Sequence, residues 1–288
     1  MISIANEHII VSFSLKGGEL KSIKGVHSET EFLWSGDSNF WGKVSPVLFP
    51  IIGALKNDTY IFEGNSYQIP RHGFARDMEF DYQFINEHEV LFTLNHNEQT
   101  LKIYPFKFTL GIRYKIHGSS VCCTFEIFNP GDKDLLFSIG GHPAFAAPLN
   151  KEGDYTDYYL LFNKDEELTY HHIVDNLIDD ESSTIKLDNG KLYLKHELFY
   201  QDALVFKNLK SDSISLLNDK NYNGLDFNFK DFPYFGIWAA KDADFICLEP
   251  WCGIADGVNH NQQFVEKEGV NTLAPKQNWE RTWQVTCF

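Results

Sequence analysis

Little in this sequence suits a membrane, a nucleic acid or a disulfide framework. No apolar run approaches the roughly 20 residues of a membrane-spanning helix. The opening segment MISIANEHIIVSF lacks a basic stretch followed by an apolar one, so neither a secretory signal nor membrane association is expected. Basic residues are the minority: 25 Lys and Arg against 40 Asp and Glu give a formal charge of −15. Such a field repels a phosphate backbone and argues against nucleic acid as a partner, while solubility accounts for the acidity. The 5 cysteines are few and irregularly placed. Cys122 and Cys123 are adjacent and on a strand face opposite ways, so they cannot serve one metal. Cys247 and Cys252 lack zinc-knuckle spacing, and Cys287 lies near the terminus. An odd count without a signal reads as reduced thiols in the cytoplasm. Sustained helical periodicity is scarce as well.

What is abundant is aromatic and strand-forming. With 25 Phe, 13 Tyr, 6 Trp and 43% hydrophobic residues, the composition describes a packed chain rather than a disordered one. Short apolar stretches punctuated by turns read as strands at residues 90–94, 101–104, 112–116, 121–128, 135–139, 158–162, 204–206, 214–217, 235–239, 245–248 and 283–287. His117-Gly118-Ser119-Ser120 reads as a hairpin loop and Asn129-Pro130-Gly131-Asp132 as a turn. Residues 166–180 are ambiguous, and residues 192–199 could form a short helical turn. Closely spaced strands without intervening amphipathic helices predict an all-β fold, a large antiparallel β-sandwich, with the 288 residues as a single domain.

Three segments place ionisable residues inside apolar runs beside glycine or proline: Pro70-Arg71-His72-Gly73-Phe74-Ala75-Arg76, Ile139-Gly140-Gly141-His142-Pro143-Ala144-Phe145 and Phe245-Ile246-Cys247-Leu248-Glu249-Pro250-Trp251. A lone histidine next to glycine and proline can simply cap a turn. Glu249 is harder to explain structurally, because an ionised carboxylate after so apolar a strand is costly unless paired or wet. Pro250 is expected to end that strand and leave Glu249 at a sheet edge or cavity mouth. Glycines around His142 permit close approach of a backbone or ligand. Trp251 and Phe145 offer flat surfaces on which a sugar ring can stack, against the plainer alternative of filling the core.

Two histidines and a glutamate could hold a metal, yet no His-x-His or His-x-x-x-His pairing is present. There is no Gly-x-Ser-x-Gly nucleophile motif, and only one acid stands out where a glycosidase wants two. One carboxylate with imidazoles suits a reaction that needs a base and an acid near neutral pH, such as opening a sugar hemiacetal.

At these residues the chain resembles the aldose 1-epimerase (galactose mutarotase) family, and most of all its LacX-like branch. The matching motifs are Pro46-Val47-Leu48-Phe49-Pro50-Ile51-Ile52-Gly53, His72-Gly73-Phe74-Ala75-Arg76, Gly140-Gly141-His142-Pro143-Ala144-Phe145 and Glu249-Pro250-Trp251, spread over most of the chain. The resemblance implies a β-supersandwich with an open cleft across one sheet, a small-molecule sugar as substrate, and no cofactor or metal. It assigns Glu249 as general base and His142 as general acid, with His72 and Asp202 holding the sugar. The family's arginine after the first motif's glycine is replaced by Ala54, which leaves Arg76 or Arg71 to hold the substrate. Two alternatives stay open. One is a hexose 6-phosphate epimerase that uses Arg71 and Arg76, with Lys56 a further candidate. The other is a non-catalytic sugar-binding protein on the same scaffold.

Overall fold

Alternating burial along the longer strands of the larger sheet builds much of the architecture. In the computed structural model, which describes residues 2–288, Ser120–Phe128 buries Val121, Cys123, Phe125 and Ile127 and turns the residues between them outward. That strand pairs antiparallel with Thr109–His117 on one side and Asn278–Cys287 on the other. All three lie in a nine-stranded sheet that runs from Lys191–Tyr193 at one edge to Asp81–Asn86 at the other. A second sheet has eight strands, among them Glu167–Val174, Leu177–Lys186, Leu204–Phe206, Tyr234–Trp238, Phe245–Cys252 and Ile139–Gly141. The core lies between the two sheets. Phe227 of the first meets Phe145 and Phe235 of the second at ring-centre distances of 5.7 and 6.2 Å. These three rings are at most 1% exposed, and burying each contributes about 1.5–3 kcal/mol. The fold is thus the large antiparallel all-β sandwich that the strand pattern predicts.

Two local expectations are corrected, an ambiguous segment is resolved, and the short helical turn is found. Residues 101–104 do not extend as a strand: Glu98–Ile103 is a helix, capped by the Asn97 side chain accepting from the Gln99 and Thr100 amides. Residues 166–180 resolve into the strands Glu167–Val174 and Leu177–Lys186, and the helical turn within residues 192–199 is confined to His196–Phe199. Pro250 does not end its strand. Phe245–Cys252 continues past it, with Pro250 opposite Phe235, inside the sheet rather than at an edge.

The reason lies in the neighbouring segment. Gly140 pairs with Trp251, and Ala144 pairs with Cys247, but regular pairing with Phe245–Cys252 is interrupted between them: Gly141 pairs instead with Val47, His142 lies outside any strand, and only the Pro143 carbonyl accepts from Leu248, at 3.1 Å. Pro250 falls opposite that interruption, where its missing N–H leaves no ladder bond unmade on that side. The same interruption frees His142 from the sheet, beside the strand that carries Glu249.

Candidate active site

Alternation along Phe245–Cys252 puts Cys247, Glu249 and Trp251 on the face of the eight-stranded sheet that turns away from the sandwich core. Trp251 can lie flat there because two neighbours lack side chains. A Cβ at Gly236 or Gly140 would come within 2.5 or 2.6 Å of its ring. The close approach foreseen around the glycines of the His142 segment is therefore made, at Gly140, by this indole.

His142 is fixed from several directions. Its amide donates to the Pro46 carbonyl at 3.1 Å, Trp41 stacks on its ring at 4.8 Å, and Trp238 meets it edge-on at 5.7 Å. Its Nε2 stands 3.3 Å from Glu249 Oε2. Nevertheless Glu249 Oε2, His142 Nδ1 and Trp251 Nε1 are buried without a hydrogen-bond partner, an arrangement that suits polar groups awaiting a ligand.

His72 is held in a left-handed backbone conformation, φ 67°, followed by Gly73 at φ 72°. Only glycine fits at 73, because a Cβ would lie 2.1 Å from the Phe49 carbonyl oxygen. The turn locks onto Gly53 twice: the His72 amide donates to the Gly53 carbonyl at 2.8 Å, and the Gly53 amide donates to His72 Nδ1 at 3.1 Å. With Nδ1 accepting, the neutral ring carries its proton on Nε2.

Glu249, His142, His72, Asp202 and Arg76 all line one cavity of about 230 Å³, together with Arg71, Trp41, Trp238 and Trp251. Asp202 lies within 4.0 Å of Arg71 Nη2 and accepts from the Ala203 amide at 2.7 Å. Arg71 also donates to Asn176 Oδ1 at 2.7 Å, and Arg76 donates to the Arg71 carbonyl at 2.9 Å. Ala54 is buried, and its carbonyl accepts the Asp256 amide; Gly53 and Ala255 form the wall beside it.

Burial dominates the electrostatics. Glu249 is 2% exposed, and desolvation pushes its carboxyl well above the usual range, with Arg71 opposing the rise and Asp202 adding to it. Desolvation, opposed by a backbone hydrogen bond and aided by the Arg76 and Arg71 charges, lowers His142 to about 3. His72 is driven well below its ordinary value by burial, and then by His142, Arg71 and Arg76. Burial therefore favours the uncharged form of both groups, a protonated Glu249 carboxyl beside a neutral His142 imidazole.

Cys247 carried no motif signal, yet its sulfur, an imidazole nitrogen of His142 and a Glu249 oxygen lie within 4.8 Å of one another. Sulfur, nitrogen and oxygen donors suit zinc. Binding it would require both a thiolate and a carboxylate where desolvation raises both groups, so the trio fits a metal poorly. Trp41 and Trp238 were also missed as site residues. The one hint at Trp41 was a tryptophan in the polar stretch Asp37-Ser38-Asn39-Phe40-Trp41-Gly42-Lys43.

The chain is similar to known proteins along its length. The chromosomal LacX protein of Lactococcus lactis is 34% identical over 297 residues, spanning 100% of this chain and 99% of LacX. The solved structure of a galactose mutarotase related enzyme from Lactobacillus acidophilus superposes with a TM-score of 0.95 at 32% identity, covering 100% of this chain and 97% of that one. A Salmonella typhimurium protein provisionally named glucose-6-phosphate 1-epimerase is 29% identical over 186 residues, 56% of this chain and 60% of its own. With the Aldose 1-epimerase family model matched from residue 1 to residue 282, the chain belongs to the aldose 1-epimerase family.

Proposed function

We propose that this single-domain protein is a cytoplasmic mutarotase that interconverts the α and β anomers of a free aldohexose. The observation that carries the reading is the buried Glu249–His142 pair, 3.3 Å apart at the cavity wall with an unpartnered carboxylate oxygen. In the empty cleft the proton rests on Glu249, because burial disfavours a separated pair of charges. Sugar hydroxyls, with Arg71 nearby, stabilise the carboxylate and shift the proton to His142.

Glu249 then takes the proton from the anomeric hydroxyl as the bond from the anomeric carbon to the ring oxygen breaks. His142 delivers its proton to that ring oxygen. The product is the open-chain aldehyde, with no net gain or loss of protons. Rotation about the first carbon–carbon bond exposes the other carbonyl face, and the reverse transfers close the ring as the opposite anomer. His72, neutral and presenting Nε2–H, donates to a sugar oxygen, and Asp202 and Arg76 bind hydroxyls further along the ring. No step calls for a cofactor.

Anomer-exchange NMR on a panel of free and phosphorylated aldoses tests the proposal. Wild-type protein should accelerate exchange, and Glu249→Gln should lower the catalysed rate by about 10²–10⁴-fold while the protein stays folded. Full activity in a folded Glu249→Gln protein removes Glu249 from the mechanism. Sugar binding without accelerated exchange establishes the non-catalytic alternative.

A hexose 6-phosphate substrate is the second reading, favoured by the presence of Arg71 and Arg76 in the cavity. Arg71 donates to Asn176 and lies 4.0 Å from Asp202, while Arg76 donates to the Arg71 carbonyl and its Nε, without a hydrogen-bond partner, has Asp77 3.8 Å away. Each arginine thus already faces a carboxylate, which favours the free sugar over an anionic one.

A further inference from the structure

The cavity at Glu249 and His142 has a neighbour. Beyond Asp202 lies a second cavity of about 550 Å³, and Ile173, Asp202 and Ala203 line both. The catalytic cavity, at about 230 Å³, falls below the roughly 300 Å³ at which pockets for drug-sized ligands begin, which suits one sugar ring and no more. The adjoining one is larger, and its lining is that of a carbohydrate groove: Tyr170, His172, Tyr200, Gln201, Lys195 and Glu197.

Tyr200 is 48% exposed, yet it is not loose, because its hydroxyl donates to Asp242 Oδ1 at 2.5 Å. Lys241 Nζ lies over one face of the ring, 5.4 Å from its centre, so a half-exposed ring held by its far end and backed on one face is a preformed stacking platform on the other. His172 is similarly fixed by a 2.7 Å contact between its Nε2 and Ser183 Oγ. The charges of Lys195 and Glu197 oppose each other, so the groove suits a neutral hydroxylated ligand rather than an anion.

We infer that this groove is a subsite for a second sugar unit, and that the preferred substrates are reducing disaccharides. The inference rests on the mutarotase reading of the adjoining site. The reacting anomeric centre must lie at Glu249 and His142. A ring so placed turns its opposite end toward Asp202, where the two cavities meet. A substituent on the fourth or sixth carbon of the reducing ring then passes over Asp202 into the groove, and the glycosidic bond is untouched by the reaction.

The test compares kcat/KM for anomer exchange of a 1,4-linked and a 1,6-linked reducing disaccharide with that of the matching monosaccharide, in wild type and in Tyr200→Ala. A single stacked ring contributes roughly a three- to ten-fold gain. At least one disaccharide should therefore exceed the monosaccharide by that factor, chiefly through a lower KM. Tyr200→Ala should abolish the gain and leave monosaccharide turnover unchanged, since Tyr200 does not line the catalytic cavity. Monosaccharide turnover with no disaccharide advantage, or an equal loss for all sugars in Tyr200→Ala, overturns the subsite alone. Failure to turn over any of the sugars overturns the mutarotase reading and the subsite with it.

Discussion

Glu249 shows how a single residue can oppose the stability of its own fold. Its carboxyl is buried with an unpartnered oxygen, and burial raises its pKa well above the ordinary value of 4.5. A group whose pKa is raised by folding contributes its full stability below its unfolded value and loses that contribution as pH rises toward the folded value. A glutamine at this position does not titrate. Glu249→Gln should therefore gain on wild type above about pH 4.5, by up to about 1.4 kcal/mol per pH unit until Glu249 ionises in the folded protein. Denaturant unfolding of both proteins from pH 4 to pH 8 checks this. A difference that stays constant over that range would show that the buried carboxyl titrates as it does in the unfolded chain. His72 makes the matching point for backbone strain: it sits at positive φ because its turn is locked to Gly53 at both its amide and its ring.

Among the elements, the loop after Phe245–Cys252 depends on an ion pair in the interior. Lys267 Nζ lies 2.7 Å from Asp256 Oδ1, with neither side chain exposed. Asp256 also accepts the Lys56 amide at 2.9 Å, and its own amide reaches the Ala54 carbonyl next to Gly53. Lys267→Met should destabilise the protein by about 3–5 kcal/mol, because it strands a buried carboxylate. Urea unfolding measures this, and a loss below about 1 kcal/mol would mean that Asp256 finds other compensation. Nothing in the sequence marked Lys267, since its partner is defined only by a folded loop. Strands were legible wherever side chains alternate, as in 121–128, because a period of two is written locally. Helix Glu98–Ile103 was not, because six residues are too few to display a helical period and its cap, Asn97, lies in the polar run Asn95-His96-Asn97-Glu98-Gln99-Thr100 between two apolar stretches. Pro250 misled for a related reason. Whether a proline breaks a ladder is decided by the opposite strand, more than a hundred residues away in the chain. Glu249, His142, His72, Arg71 and Arg76, which line one cavity, stand out in the sequence as motifs, whereas Asp202 and every proposed role come from the resemblance. Trp41, Trp238 and Cys247 were not legible, because only folding sets them beside His142.

At the scale of the molecule, the net charge of −15 acts on any anionic substrate from a distance, while the arginines at the cavity act at contact. The long-range part is screened over about 10 Å at 0.1 M salt. For a free hexose against its 6-phosphate, kcat/KM should favour the free sugar, the gap should narrow as salt is raised, and the preference should survive in Arg76→Ala. A strong preference for the phosphate that collapses in Arg76→Ala would instead make this a hexose-phosphate epimerase. The interrupted ladder at Gly141-His142-Pro143 bears on how such a molecule comes to life. The Glu249–His142 contact, on which the proposed mechanism rests, exists only where two distant stretches of chain meet at that interruption. A fragment that lacks either stretch lacks the pair, so on the proposed mechanism turnover reports that this seam has been assembled.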